Sequence, residues 1–321
     1  MACAARGAVA AVLAGGARYG PRDLLLTCST SESYALLFKL LCSPGDQVLV
    51  PRPSYPLFEW LTRLEGVEAV PYALHYAGGW QIDLGELRQR LGPRTRAVVV
   101  VNPNNPTGNY LSAGELAELA AVCGRRVALI GDEVFHEYGW TDQPQVRIAE
   151  ASQALTFHLG GLSKLVGLPQ LKLGWIGVAG PAALRRAALR RLELIADNYL
   201  SVGAPVQLAA PRLLALGELV QQQLRARVRA NRDWLVQHLR ESGAPISLLE
   251  AAGGWSGVLR IPAPRGEEAL ALDLLDREQL VVHPGYFFDL GSGSHLVVSL
   301  IVPPEVLRAG VAAIERELAR G

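Results

Sequence analysis

Apolar residues along this chain follow two alternating rhythms. Short, mostly apolar runs recur at Leu24-Leu25-Leu26, Gln47-Val48-Leu49-Val50, Ala97-Val98-Val99-Val100-Val101, Val127-Ala128-Leu129-Ile130 and Leu155-Thr156-Phe157-His158-Leu159, the third of them β-branched almost throughout. They are too short for helices and read as strands buried on both faces. Between them lie segments with helical spacing of apolar positions: Ser33 to Leu41, Leu57 to Leu64 and Ala113 to Cys123. A further strand is expected near Ala69 to Tyr72, and the polar stretch Trp80-Gln81-Ile82-Asp83 leads into another helix. Strand and helix in alternation predict an α/β fold with a parallel sheet.

From Gly180 the rhythm becomes helical, and apolar positions interleaved with arginines run from about Val206 to Leu239. Beyond Ser247 strands are expected near Gly257 to Ile261 and Leu296 to Val302, with helices around Glu267 to Arg277 and Glu305 to Arg320. This divides the chain into a large domain (1–205), a connecting helical segment (206–240) and a small C-terminal α+β domain (241–321) at the mouth of a cleft. At the other end, Arg6 precedes the apolar run Gly7 to Ala14 and then Gly15-Gly16-Ala17. The run predicts a first helix; a short signal peptide is the rival reading. No stretch is long enough to span a bilayer.

Half of the 321 residues are hydrophobic and the formal net charge is +1, which describes a globular chain with no field for nucleic acid or an anionic membrane. Arg185, Arg186, Arg190 and Arg191 read as a solvated helix face. Cys3, Cys28, Cys42 and Cys123 lie far apart, without a Cys-x-x-Cys pair, and the six histidines have no metal spacing. A reducing cytoplasm is the expected location. Gly291-Ser292-Gly293-Ser294 reads as a turn, since no strand–helix unit frames it as a phosphate loop.

Candidate chemistry collects where the buried strands end, the usual place for ligands in open α/β sheets. The 96–101 run ends in Asn102-Pro103-Asn104-Asn105-Pro106-Thr107-Gly108, the 127–130 run in Gly131-Asp132-Glu133-Val134-Phe135, and the 155–159 run just before Gly161-Leu162-Ser163-Lys164. Lys164 sits among apolar and small residues. Burial shifts a lysine toward its neutral, nucleophilic form, as a Schiff-base lysine requires. Ser29 and Glu32 fit a capping box, and the same helix start, with Thr30 and Ser31, fits an anion site. Prolines at 51, 53 and 56 hold Tyr55 at a strand end, where it can stack on a planar ring or belong to the core.

Asn-Pro-x-Asn-Pro-Thr-Gly, then Asp-Glu-x-aromatic, then Ser-Lys-x-x-Gly-Leu-Pro-x-Leu-x-Leu-Gly-Trp, in this order on strand ends, resembles the class I/II aminotransferases, the fold-type I pyridoxal-phosphate enzymes. The resemblance runs over nearly the whole chain. It implies a mostly parallel sheet sandwiched by helices, a smaller C-terminal domain, pyridoxal 5'-phosphate as cofactor, and a homodimer. It further implies that Lys164 forms the Schiff base and shuttles the substrate Cα proton, and that Asp132 pairs with the pyridinium nitrogen. Asn105 would bond the ring's 3-oxygen, Tyr55 would stack on the ring, and Thr30, Ser31 and Lys172 would hold the phosphate. The chain departs from the family at several positions: Lys172 for an arginine, Gly161 for a serine, Phe135 for a tyrosine, and Val297 where the family places an arginine for the substrate carboxylate. Looser cofactor binding is expected, and Arg260, His283 and His295 are the alternatives for the carboxylate. The chain also begins later than most members, which have a dimer arm before this point, so Met1 is a candidate truncated or misassigned start. The expected function is ping-pong transfer of an amino group from an amino acid to a 2-oxo acid. A lyase or decarboxylase on the same cofactor, and a non-catalytic paralogue, are the alternatives.

Overall fold

A computed structural model describes residues 2–13, 19–151, 153–291 and 293–320. Ala14 to Ala17 of the N-terminal run and Ser292 of the glycine-rich turn lie outside the described residues. In chain order the large layer contains α1 (Ala2–Leu13), β1 (Leu24–Thr27), α2 (Thr30–Leu41), β2 (Gln47–Arg52), α3 (Phe58–Leu64), β3 (Glu68–Tyr76), β4 (Trp80–Ile82) and α4 (Leu84–Arg90). It continues through β5 (Thr95–Val101), α5 (Ala113–Cys123), β6 (Ala128–Asp132), β7 (Thr156–Gly161), α6 (Leu162–Leu165), β8 (Gly174–Ala179) and α7 (Ala182–Asp197).

Among the described residues these strands form one eight-stranded sheet, in the order β1-β8-β7-β6-β5-β2-β3-β4. Its centre, β3-β2-β5-β6-β7, is parallel, as the continuous apolar runs predict. Within β5, Ala97 and Val99 join the core under α2 and α7, while Val98 and Val100 join the one under α4 and α5. A strand buried on both sides has no polar face to show in its sequence.

Both edges depart from the expectation. β8 runs antiparallel to β7 and to β1. The Trp80 to Asp83 stretch is not merely a lead-in, because β4 pairs antiparallel with β3 through Leu74↔Ile82 and Tyr76↔Trp80. The helix expected from Ser33 starts at Thr30, and its capping box is offset. Ser29 Oγ accepts from the Glu32 amide at 3.2 Å, but Glu32 Oε2 turns back to the Cys28 amide at 2.5 Å, one residue beyond the cap.

α8 (Ala204–Glu241) leads to a second sheet made of β9 (Ser247–Leu248), β10 (Ser256–Ile261), β11 (His283–Pro284) and β12 (Ser294–Ser299), ordered β11-β12-β10-β9 and antiparallel throughout. α9 (Glu267–Glu278) and α10 (Pro304–Arg320) cover it. β12 stops at Ser299, short of the expected Val302. α8 belongs to two cores. Ala210 and Leu214 pack with Ala5 and Val9 of α1 and with Leu162, whereas Val228 and Leu235 pack over the small sheet. Gly217 lets α8 approach the residue after α6, since a Cβ there would come within 2.1 Å of Val166.

Candidate active site

The register of the parallel strands brings the predicted residues to one edge. Val101 lies opposite Asp132, and Asp132 opposite Leu159. After β7 the chain enters the single turn of α6, which carries Lys164.

Asp132 is buried. Its Oδ1 accepts from the Val134 amide at 3.2 Å, and its Oδ2 from the Tyr34 hydroxyl at 3.1 Å. Burial disfavours the charged carboxylate and pushes its pKa up to about 6, although both hydrogen bonds and the nearby His158 act in the opposite direction. Lys164 is half-buried between two rings, its Nζ 5.5 Å from the centroid of Phe135 and 5.3 Å from that of Trp255. Desolvation lowers its pKa and Asp132 partly restores it. Tyr138 donates to the Lys164 carbonyl at 2.6 Å and fixes the turn from behind.

The three asparagines of the 102–108 loop divide the work. Asn102 donates to Glu133 and to the Val146 carbonyl, at 3.1 and 2.9 Å. Asn104 donates to the Pro53 carbonyl at 2.9 Å and accepts from Ser54 at 2.8 Å, so it ties the loop carrying Tyr55 to the end of β5. Asn105 is half-buried and accepts from Ser256 Oγ of β10 at 3.3 Å, a bridge to the small sheet. The Tyr55 ring is 51% exposed and lies 6.4 Å from Phe288.

At the start of α2, Thr30 and Ser31 stand beside first-turn amides that have no acceptor within the helix. The strand start at Gly174 presses against this turn, where a Cβ would meet the Ser29 carbonyl carbon at 3.2 Å. Lys172, two residues earlier, is thereby brought near; it is exposed, with a left-handed φ of 50°. Gly161 faces the same segment, and its Cβ would lie 3.1 Å from the Leu173 carbonyl oxygen and 3.2 Å from the Gly174 Cα. A serine at 161 is sterically tight.

Val297 is buried with Val258, Leu249, Phe288 and Leu290, beside Tyr76 and Trp80. The alternatives for a carboxylate are variously engaged. The Arg260 guanidinium lies 5.7 Å from the centre of the Tyr76 ring, His283 sits against Phe287 and Phe288, and His295 is buried 3.7 Å from Glu267. Tyr34, Tyr138 and Trp255 join the site without having been singled out by the motifs. Tyr34 had a signal, because it lies four residues after Thr30 on the same helix face.

Comparison with known proteins decides what this edge belongs to. A family model described as aminotransferase class I and II matches residues 4–319. The chain belongs to that family. It is an enzyme, a pyridoxal-phosphate-dependent aminotransferase. An alanine aminotransferase of Mycobacterium tuberculosis is 30% identical over 307 residues, covering 93% of this chain and 71% of the relative. The glutamate-pyruvate aminotransferase AlaA of Escherichia coli is 28% identical over 277 residues, 83% of this chain and 68% of its own. Among solved structures, an alanine aminotransferase from Pyrococcus furiosus superposes with a TM-score of 0.91 at 24% identity, covering 99% of this chain and 82% of that one. The fold is therefore that of the fold-type I aminotransferases. The lyase and non-catalytic readings find no favour in these relatives. Among the described residues no group of three His, Cys, Asp or Glu side chains could hold a metal ion, and no helix is long and apolar enough to cross a membrane.

Proposed function

We propose that this aminotransferase holds pyridoxal 5'-phosphate at the joined ends of β5, β6 and β7 and moves an amino group between an amino acid and a 2-oxo acid by a ping-pong route. The observation that carries the reading is Asp132, a buried carboxylate with its pKa raised to about 6 and no cationic side chain hydrogen-bonded or ion-paired to it among the described residues. Such a group is matched by a cation that arrives with a ligand, and a protonated pyridine ring is one. The depressed Lys164 and the open amides of α2 fit the same molecule, one as an amine for its aldehyde and the other as a cradle for its phosphate.

When bound, the cofactor supplies an electrophilic carbon for amines and a ring that accepts the electron pair released at the substrate Cα. In this reading Asp132 keeps the ring nitrogen protonated. Asn105 would donate to the ring's 3-oxygen, Tyr55 would stack on the ring, and Thr30, Ser31 and Lys172 would hold the phosphate. Lys164 would hold the cofactor's aldehyde carbon through its Nζ, and once free its amine would be the base that takes the proton from the substrate Cα. Phe135 and Trp255 flank that nitrogen and limit water around it, and this desolvation lowers its pKa.

By their names, the relatives act on alanine and on glutamate with pyruvate, so these are the first pairs to assay. A homodimer is supported by apolar side chains left exposed along α7 and the first half of α8, among them Leu194, Leu208, Leu216 and Leu219. Four free cysteines support a cytoplasmic location. The division at 1–205, 206–240 and 241–321 is supported by α8, whose two halves pack in different cores.

The test is the visible absorbance of the protein with added pyridoxal phosphate, followed by a panel of amino acids. The expected result is a band that alanine or glutamate bleaches and that pyruvate or 2-oxoglutarate restores. A band that no amino acid bleaches would sink the aminotransfer step, and no band at all would sink the site.

A further inference from the structure

Tyr34 lies in an otherwise apolar cluster, fully buried, with Phe58 edge-on to its ring at 5.5 Å and Phe38 at 6.0 Å. Phenylalanine would fill that space equally well, so packing does not account for the hydroxyl. The hydroxyl has one hydrogen bond among the described residues, donated to Asp132 Oδ2 at 3.1 Å. The helix that carries it also carries Thr30 and Ser31 one turn earlier. We propose that Tyr34 is a positioning residue for the aminotransferase reaction, holding the Asp132 carboxylate in the plane and charge state in which it binds the cofactor's ring nitrogen. This rests on the reading of Asp132 given above.

Two donors clamp Asp132 from opposite sides, the Tyr34 hydroxyl on Oδ2 and the Val134 amide on Oδ1. Each carboxylate oxygen keeps a lone pair for a third partner. The other titratable groups acting on Asp132 are His158 of β7, the neighbouring Glu133, and Lys164 of α6. His158 is engaged with Glu133, which leaves Tyr34 as the one side chain that bonds Asp132 directly among the described residues. The phenol keeps its proton, because burial and the adjacent carboxylate both push its pKa upward. Its contribution is therefore a hydrogen bond to the charged form, which holds the Asp132 pKa below the value that burial alone would impose.

The experiment is the dissociation constant of pyridoxal phosphate, measured across pH by visible absorbance, for the wild-type chain and for Tyr34→Phe. Loss of a hydrogen bond to a charged group predicts binding weaker by about tenfold or more near neutral pH. The pH at which affinity collapses on the acid side should move up by about one unit, because Asp132 then protonates sooner. Both effects should vanish in an Asp132→Ala background, where the hydroxyl has nothing to hold. Equal affinities and equal pH edges in wild type and Tyr34→Phe overturn the proposal, as does a Tyr34→Phe effect of the same size without Asp132. A Tyr34→Phe apoprotein that no longer folds also overturns it, since the hydroxyl would then belong to the stability of the core. A wild-type chain that binds no cofactor would remove the reading of the site itself, an outcome distinct from these.

Discussion

Asp132 and Glu133 are consecutive carboxylates at the end of one strand, both buried, and they live in opposite electrostatic worlds. Glu133 accepts from Asn102 at 3.1 Å, the Ile148 amide at 2.9 Å and His158 at 2.6 Å, with Arg147 at 3.6 Å. Its partners outweigh desolvation and hold its pKa down to about 2. Asp132 has two neutral donors, and burial prevails, pushing it up to about 6. The alternation of a strand sends the two side chains to opposite faces. One face is closed by its own polar partners, and the other leaves a carboxylate in deficit, facing Lys164. A carboxylate fully satisfied by the protein has nothing left for a ligand. The one with fewer partners is where we propose that the cofactor binds.

That contrast is sharpest under deletion. Lys164→Ala is expected to abolish turnover altogether, with an apoprotein thermal midpoint equal to or above the parent's, because a partly desolvated amine has been removed. Residual turnover in purified Lys164→Ala would break the assignment of the nucleophile. On the other face, Glu133→Ala should destabilise the fold by about 3–5 kcal/mol in denaturant titrations, since it strands His158, Asn102 and Arg147 without their acceptor. The Glu133 contribution is present above the unfolded carboxylate pKa, about 4.3, and is lost as pH falls toward about 2.

Asp132 has the reverse sign. Its folded pKa lies above its unfolded one, so its ionisation opposes folding increasingly as pH rises from about 4 through 6. Apoprotein carrying Asp132→Asn should therefore be more stable than the parent at pH 7.5, by about 2–3 kcal/mol, with the difference disappearing near pH 4. A less stable Asp132→Asn apoprotein at pH 7.5 would mean that the carboxylate is better satisfied than its two donors suggest. The smallest effect belongs to Lys172→Arg. A planar fork at the start of α2 should tighten pyridoxal phosphate binding a few-fold, read from the same absorbance titration.

Much of the frame was legible because burial on both faces leaves an unmistakable trace, the uninterrupted runs of β2, β5, β6 and β7. β8 and β4 left no such trace. β8 begins at Gly174 and carries Gly177, so its apolar run is broken by small residues; at the neighbouring Gly160 a Cβ would strike the Trp175 indole at 2.6 Å. β4 is three residues long, and its strand character comes from pairing with β3. The motif spacings pointed to Asp132 and Lys164, but not to Tyr34, whose hydroxyl bonds a residue 98 positions away in sequence. Nor does spacing distinguish Asn104 from Asn105, which differ in what lies opposite each: the proline loop for one and Ser256 for the other.

By itself the sequence determined the succession of strands and helices, the family, and which residue types end the central strands, because periodicity and short motifs are local properties. Only the tertiary structure decided that Asp132 is left short of partners while Glu133 is surrounded by them, that Val297 is enclosed among apolar side chains, and that α8 is shared between two cores. These depend on which distant residues meet. Burial and hydrogen bonding are set by neighbours in space, and adjacency in the chain leaves them open.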